Sequence, residues 1–179
     1  MKNGIILSPA TLEDVDFIVG VKTNPSFWPY EEDVVNADKD EVRKKVVERI
    51  YSDWHKQYII HKNNLEKTPV GLIFLRWYIK ERESWEIGFC IFPEYQRQGY
   101  CLEAAKMVLK HGFEEWNAHK VVGMCNENNI ASKTLMEKLG MTLEGIFREE
   151  LPWPDRWDNQ LFYCILDREY RKKEKKISS

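Results

Sequence analysis

A chain of 179 residues, 43% hydrophobic and 13% aromatic, has the length and apolar content for one domain with a buried core. That composition excludes a disordered or low-complexity chain, and no apolar run is long enough to span a bilayer. The net charge is −2, yet residues 171–176 hold five basic residues and one acidic one; without them, 22 basic and 28 acidic residues leave a body at −6. An acidic body speaks against nucleic acid as a partner and suits a cationic or amine substrate.

Residues 4–9 predict a short strand. Thr11 is an N-cap for a helix with acidic residues in its first turn, including Asp14 three residues on, and with Val15, Ile18 and Val19 on its apolar face. Asn24-Pro25 closes it. Residues 25–37, rich in aromatic and acidic residues, predict an ordered loop. Asp38 to Trp54 predicts a second helix, because Val42, Val46, Ile50 and Trp54 recur every four residues. Gln57–Lys62 and Pro69–Ile79 predict strands, and Asn63-Asn64 marks a turn. Lys80–Ser84 reads as a charged hairpin turn into a strand over Trp85–Phe92. One face of that strand carries Glu86, Gly88, Cys90 and Phe92; the other carries Trp85, Ile87, Phe89 and Ile91.

A helical pattern runs from Gly99 to Trp116, followed by a short strand over Lys120–Met124. Residues 126–129 cap a helix through Leu139, and Gly140 stands where a C-cap is wanted. Met141–Arg148 and Gln160–Leu166 predict a final antiparallel pair joined by residues 151–158. The organisation expected is one α+β domain over residues 1–170, with residues 171–179 a basic, disordered tail.

Cys90, Cys101, Cys125 and Cys164 are scattered without a C-x-x-C pair, so buried reduced thiols are expected. The four histidines lack zinc-ligand spacing, so no metal is expected. Met1 to Leu7 shows no signal-peptide pattern, and a soluble, cytoplasmic protein with no membrane partner is expected.

The stretch Tyr95 to Glu103 concentrates the functional signal. A strand stops at Pro93, a short loop carries Gly99, and a long helix follows. Such a loop aims backbone N–H groups and a helix N-terminus at one point, which suits a phosphate. One glycine is also compatible with an ordinary strand–helix connection. The loop is not a Walker P-loop, lacking Gly-Lys-Ser/Thr, nor a dinucleotide fingerprint, lacking the three-glycine spacing.

Gln96-x-x-Gly99-x-Cys101 resembles the Q/R-x-x-G-x-G/A signature of the GNAT acyltransferase superfamily. Asn129 to Met141, followed by Leu143-Glu-Gly145, resembles the segment after that superfamily's fifth strand. Glu86-Ile-Gly88 and Pro93 resemble the approach to the loop in its ribosomal-protein N-acetyltransferase-like (RimJ/RimL-like) branch. The resemblance implies a GNAT fold: a mixed, mostly antiparallel sheet of about seven strands, helices on both faces, and a splayed strand pair. It implies acetyl-CoA as cosubstrate, with its pyrophosphate on the backbones of Arg97, Gln98, Gly99, Tyr100, Cys101 and Leu102. Asn129 and Ser132 are implied contacts to the pantetheine or acetyl end, while Asn129 also reads as an N-cap. Cys101 departs from the usual Gly or Ala. Met136 departs from the usual tyrosine that protonates the departing thiolate, and this leaves Ser132 for that role.

The activity implied is transfer of an acetyl group to a primary amine, either a protein N-terminus or a small amine, by direct attack in a ternary complex. The alternative is a CoA-binding sensor or scaffold without turnover. Glu86 is the expected base, acting through water, against the plainer reading of a glutamate paired with an arginine or lysine. Glu32, Asp33, Glu149 and Asp158 are further acidic candidates. The Cys90 backbone N–H is the implied oxyanion donor. Phe27, Trp28, Tyr30, Trp153 and Trp157 are candidate walls of the acceptor cleft, with Glu31, Glu32 and Asp33 attracting a cation. The expected assembly is a monomer or a homodimer.

Overall fold

A computed structural model describes residues 4–31 and 38–177. The strands are β1 (Ile5–Pro9), β2 (His55–Lys62), β3 (Pro69–Ile79), β4 (Ser84–Ile91), β5 (Lys120–Asn126), β6 (Thr142–Pro152) and β7 (Trp157–Leu166). The helices are α1 (Val15–Lys22), α2 (Lys39–Tyr51), α3 (Tyr100–Glu114), α4 (Ile130–Leu139) and α5 (Asp167–Ile177). All seven strands join one sheet in the order β1-β2-β3-β4-β5-β7-β6. The β1–β2, β5–β7 and β6–β7 ladders are antiparallel, and β4–β5 is parallel. A parallel pair needs a long crossover, which the loop and α3 supply between β4 and β5. The β4–β5 ladder covers Ser84–Glu86 against Lys120–Val122, whereas β4 runs on to Ile91 and β5 to Asn126.

Local chemistry explains most boundaries. The Thr11 N–H and hydroxyl both donate to the Asp14 carboxylate at 2.8 Å, which fixes the entry to α1. Asp38 caps α2 by accepting from the Asp40 N–H at 2.8 Å. Three expected boundaries move furthest. Ser52 turns extended and its hydroxyl donates to the Arg49 carbonyl, so α2 ends at Tyr51 and Trp54 lies outside it. Half of the expected 151–158 connector is strand, because Leu151 pairs with Asp158 and Pro152 with Trp157. Residues 171–177, expected as a disordered tail, are the last turns of α5. Tyr170 stacks on Phe113 at 4.8 Å, and Arg171 donates to the Phe113 carbonyl at 3.2 Å, so the helix has a docking face. No helix among the described residues is long and apolar enough to cross a membrane.

The chain divides into two compact units. The first, residues 1–74 and 89–104, has a core of Val15, Ile18, Val19, Val21, Val46, Ile59, Leu72, Cys90 and Phe92. The second, residues 75–88 and 105–179, buries Phe113, Val121, Met136, Tyr163 and Ile165. In the second unit α3 and α4 pack on the same face of β5. A Cβ on Gly112 would stand 2.9 Å from Leu75 and 3.9 Å from Val121, and one on Gly123 would stand 3.1 Å from the Met136 sulfur.

Candidate active site

In the first unit, Pro93–Tyr95 make a single 3₁₀ turn after β4, and α3 begins at Tyr100. Between them Arg97 (φ +59) and Gly99 (φ +86) both occupy the left-handed region. A turn of that kind, opening onto a helix, forms an anion-binding concavity of backbone N–H groups. Glu103 N–H begins the helical ladder by donating to the Gly99 carbonyl at 3.1 Å. The N–H groups of Tyr100, Cys101 and Leu102 belong to the first turn and have no intrahelical acceptor. Nothing lies within 4 Å of a Cβ built on Gly99, so glycine serves the φ angle and not a crowded interior.

Two glutamines hold the loop in shape. Gln96 Nε2 donates to the Ile91 carbonyl and Gln98 Nε2 to the Glu94 carbonyl, each at 3.1 Å. Arg97, Gln98 and Gly99 are exposed, and among the described residues Arg97 makes no ion pair. Tyr100 is buried, and Cys101 is half-buried with its thiol pushed up by burial.

Cys90 is also buried. Its thiol donates to the Phe27 carbonyl at 3.5 Å, and burial pushes it up to about 12 against the pull of Lys22. Its backbone is held by a residue that sequence reasoning missed. A Cβ on Gly71 would stand 2.1 Å from the Cys90 carbonyl oxygen and 2.9 Å from Ile91 Cδ1. Only a glycine lets β3 approach β4 so closely, and the Phe92 N–H then reaches the Val70 carbonyl at 2.9 Å. The sole signal in the sequence was a glycine inside an otherwise strong strand pattern.

Phe27 stacks on Phe92 at 4.7 Å, and the Trp28 indole N–H donates to the Val21 carbonyl at 2.9 Å. Both are half-buried, so they serve the packing of the first unit. Tyr30 is half-buried beside them in sequence. Glu32 and Asp33 lie outside the described residues.

In the second unit, Glu86 is gripped by Arg76, another residue that strand patterning left unmarked. Arg76 Nε donates to Oε2 at 2.8 Å and Nη2 to Oε1 at 2.9 Å. The Glu86 side chain is 13% exposed and that of Arg76 34%. Asn129 caps α4, its Oδ1 accepting from the Ser132 N–H at 3.0 Å. Ser132 is buried, and its hydroxyl makes no hydrogen bond among the described residues. Met136 is 1% exposed and fills the space over Gly123, a core role that cannot supply a proton.

A polar network ties the start of α4 to the β6–β7 hairpin. Asn126 Nδ2 donates to Asp158 at 2.8 Å, and Arg156 Nε donates to the same carboxylate at 2.9 Å. Arg156, then Asn126, holds the Asp158 carboxyl below its ordinary range, so it stays an anion. Asn159 donates to Glu127 and accepts from the Glu149 N–H. The Arg156 guanidinium sits 5.1 Å over the Trp153 ring, whose indole N–H is buried without an acceptor among the described residues. Trp157 is 60% exposed.

The first unit therefore brings together the 97–102 loop and the Cys90 backbone, and the second brings together Asn129 and Ser132. No described His, Cys, Asp or Glu residues cluster as a metal site. A seven-stranded mixed sheet with this strand–loop–helix turn defines the GNAT class of acyltransferase folds. Residues 5–142 match the family described as the acetyltransferase (GNAT) domain, and the chain belongs to that family and is an N-acetyltransferase. It is 34% identical over 141 residues to the uncharacterized N-acetyltransferase YnaD of Bacillus subtilis, covering 72% of this chain and 82% of that protein. It is 24% identical over 174 residues to the spermidine N(1)-acetyltransferase of Escherichia coli K12, covering 94% and 89%. The crystal structure of a GNAT-family acetyltransferase from Bacillus anthracis superposes with a TM-score of 0.78 at 26% identity, covering 94% of this chain and 98% of that one.

Proposed function

We propose that this enzyme moves the acetyl group of acetyl-CoA to a primary amine by direct attack in a ternary complex, as a member of the RimJ/RimL-like branch. The observation that carries the reading is the left-handed Arg97 and Gly99 pair at the N-terminus of α3. Its N–H groups and the Arg97 charge suit a pyrophosphate. In this reading the backbones of 97–102 hold the pyrophosphate, and Asn129 and Ser132 contact the pantetheine end. The Cys90 N–H donates to the developing oxyanion.

The amine nitrogen bonds to the thioester carbon, the carbon–sulfur bond breaks, and the thiolate leaves. Glu86 takes the amine proton through water, and the Ser132 hydroxyl donates to the departing sulfur. Tyr30, Glu32, Trp153 and Trp157 are assigned to the acceptor, with Phe27 and Trp28 bracing from the core. The acidic body favours a small aliphatic polyamine over a protein N-terminus, in keeping with the spermidine acetyltransferase among its relatives.

The test is thiol release from acetyl-CoA with a panel of polyamines, aminoglycosides and peptide N-termini. Turnover on at least one amine is expected. Gly99→Glu sets a carboxylate against the phosphates and should cut CoA affinity more than about 100-fold by calorimetry, on the scale of about 3 kcal/mol for a lost charged contact. Unchanged affinity in this variant overturns the loop's role.

A further inference from the structure

We infer that Arg76 is a positioning residue for catalysis: it fixes the Glu86 carboxylate in the orientation from which Glu86 accepts the amine proton. The inference rests on the reading of Glu86 as the base, and goes beyond it by assigning a partner on another strand. Arg76 and Glu86 stand ten residues apart, on the two strands joined through the 80–83 turn. Their contact is bidentate: Nε donates to Oε2 at 2.8 Å, and Nη2 lies 2.9 Å from Oε1 and 2.7 Å from Oε2. Two guanidinium nitrogens reaching both oxygens fix the plane of the carboxylate as well as its position, which one ammonium cannot do.

Three observations separate this pair from an ordinary surface ion pair. The Glu86 side chain is 13% exposed, so water competes little for it. Glu86 sits at the last pair of the parallel β4–β5 ladder, opposite Val122, where β4 continues toward Ile91. Oε2 meets both guanidinium nitrogens and Oε1 meets Nη2 alone, so Oε1 keeps a lone pair for a water or an amine. The fork thus leaves the base able to accept a proton while removing its freedom to rotate. It has a second consequence. Glu86 and Arg76 together carry no net charge, so Glu86 does not draw a cationic acceptor from solution. Acceptor affinity must come from other groups, and Glu86 acts on rate.

The test is a double-mutant cycle on the full chain, with steady-state kinetics for acetyl-CoA and for the amine found active. Glu86→Gln should lower kcat by about 100-fold or more, the usual weight of a positioned base. Arg76→Met should lower kcat to within a fewfold of the same level, with KM for both substrates changed less than about threefold. Arg76→Lys, which keeps the charge but not the fork, should recover only part of the loss. The Arg76→Met/Glu86→Gln double variant should be no slower than Glu86→Gln alone, because both changes remove one function. A double variant slower by the product of the two single losses overturns the positioning role, as does full kcat in Arg76→Met or Arg76→Lys while Glu86→Gln is impaired. Full kcat in Glu86→Gln instead overturns the base assignment itself. Circular dichroism on each variant checks the fold, and Arg76→Lys carries the comparison if Arg76→Met unfolds.

Discussion

Replacing Gly71 by alanine tests how β3 holds the backbone of Cys90. The added Cβ would stand 2.1 Å from the Cys90 carbonyl oxygen, 3.1 Å from its carbonyl carbon and 2.9 Å from Ile91 Cδ1. Ile91 can rotate away, but the carbonyl is backbone, so β3 and β4 must separate by about 1 Å to restore ordinary contact. Overpacking of this kind costs about 1–3 kcal/mol, and weakening the Phe92 N–H to Val70 carbonyl bond, 2.9 Å long, adds about 1 kcal/mol. A total of about 3 kcal/mol lowers Tm by about 6–12 °C in a chain of this size. Thermal unfolding followed by circular dichroism reads it. Gly20→Ala is the control: α1 leaves open space there and φ is not positive, so Tm should hold or rise by up to about 2–4 °C, the worth of about 1 kcal/mol of helix propensity. A Gly71→Ala protein melting within about 2 °C of the parent refutes the close-packed β3–β4 account.

Two further predictions concern titration. Arg156 and Asn126 hold the Asp158 carboxyl below its ordinary value of 3.8, so its contribution to stability is present above that value and is lost as pH falls through the folded-state value. Asp158→Asn should therefore unfold more easily in urea at pH 7, and the gap to the parent should narrow below about pH 4; a gap that stays constant with pH refutes the pairing. Burial pushes the Cys90 and Cys164 thiols up to about 12, so at pH 8 only about one in ten thousand is thiolate. Native protein should resist iodoacetamide until it is unfolded, and rapid native labelling of either residue, located by mass spectrometry, contradicts the burial.

Local signals made much of the fold legible. The Thr11 and Asp14 pair, the Asp38 and Asn129 caps, Gly140 and the apolar run of β3 are short-range features, and each stands where its pattern put it. Element ends were less legible where a distant partner sets them. β6 and β7 extend because Leu151 and Asp158 pair across the hairpin, and α5 continues because Tyr170 finds Phe113.

The same division holds for the candidate site. The strand–loop–helix at 91–102 was readable because its spacing and its glycine act within ten residues, and the backbone delivers the left-handed turn there. By itself the sequence determined the family and the strand–loop–helix turn at Gly99. Only the tertiary structure decided the surroundings of the candidate site residues. It put the Arg76 fork on Glu86, the Gly71 contact on Cys90, and the Arg156–Asp158–Asn126 network beside the start of α4. Apart from Arg156–Asp158, these depend on strand register and on contacts between residues 10 to 32 apart, which a pattern of local propensities does not encode. Bidentate geometry and a 2.1 Å clash are properties of space, and they appear once the strands are laid side by side.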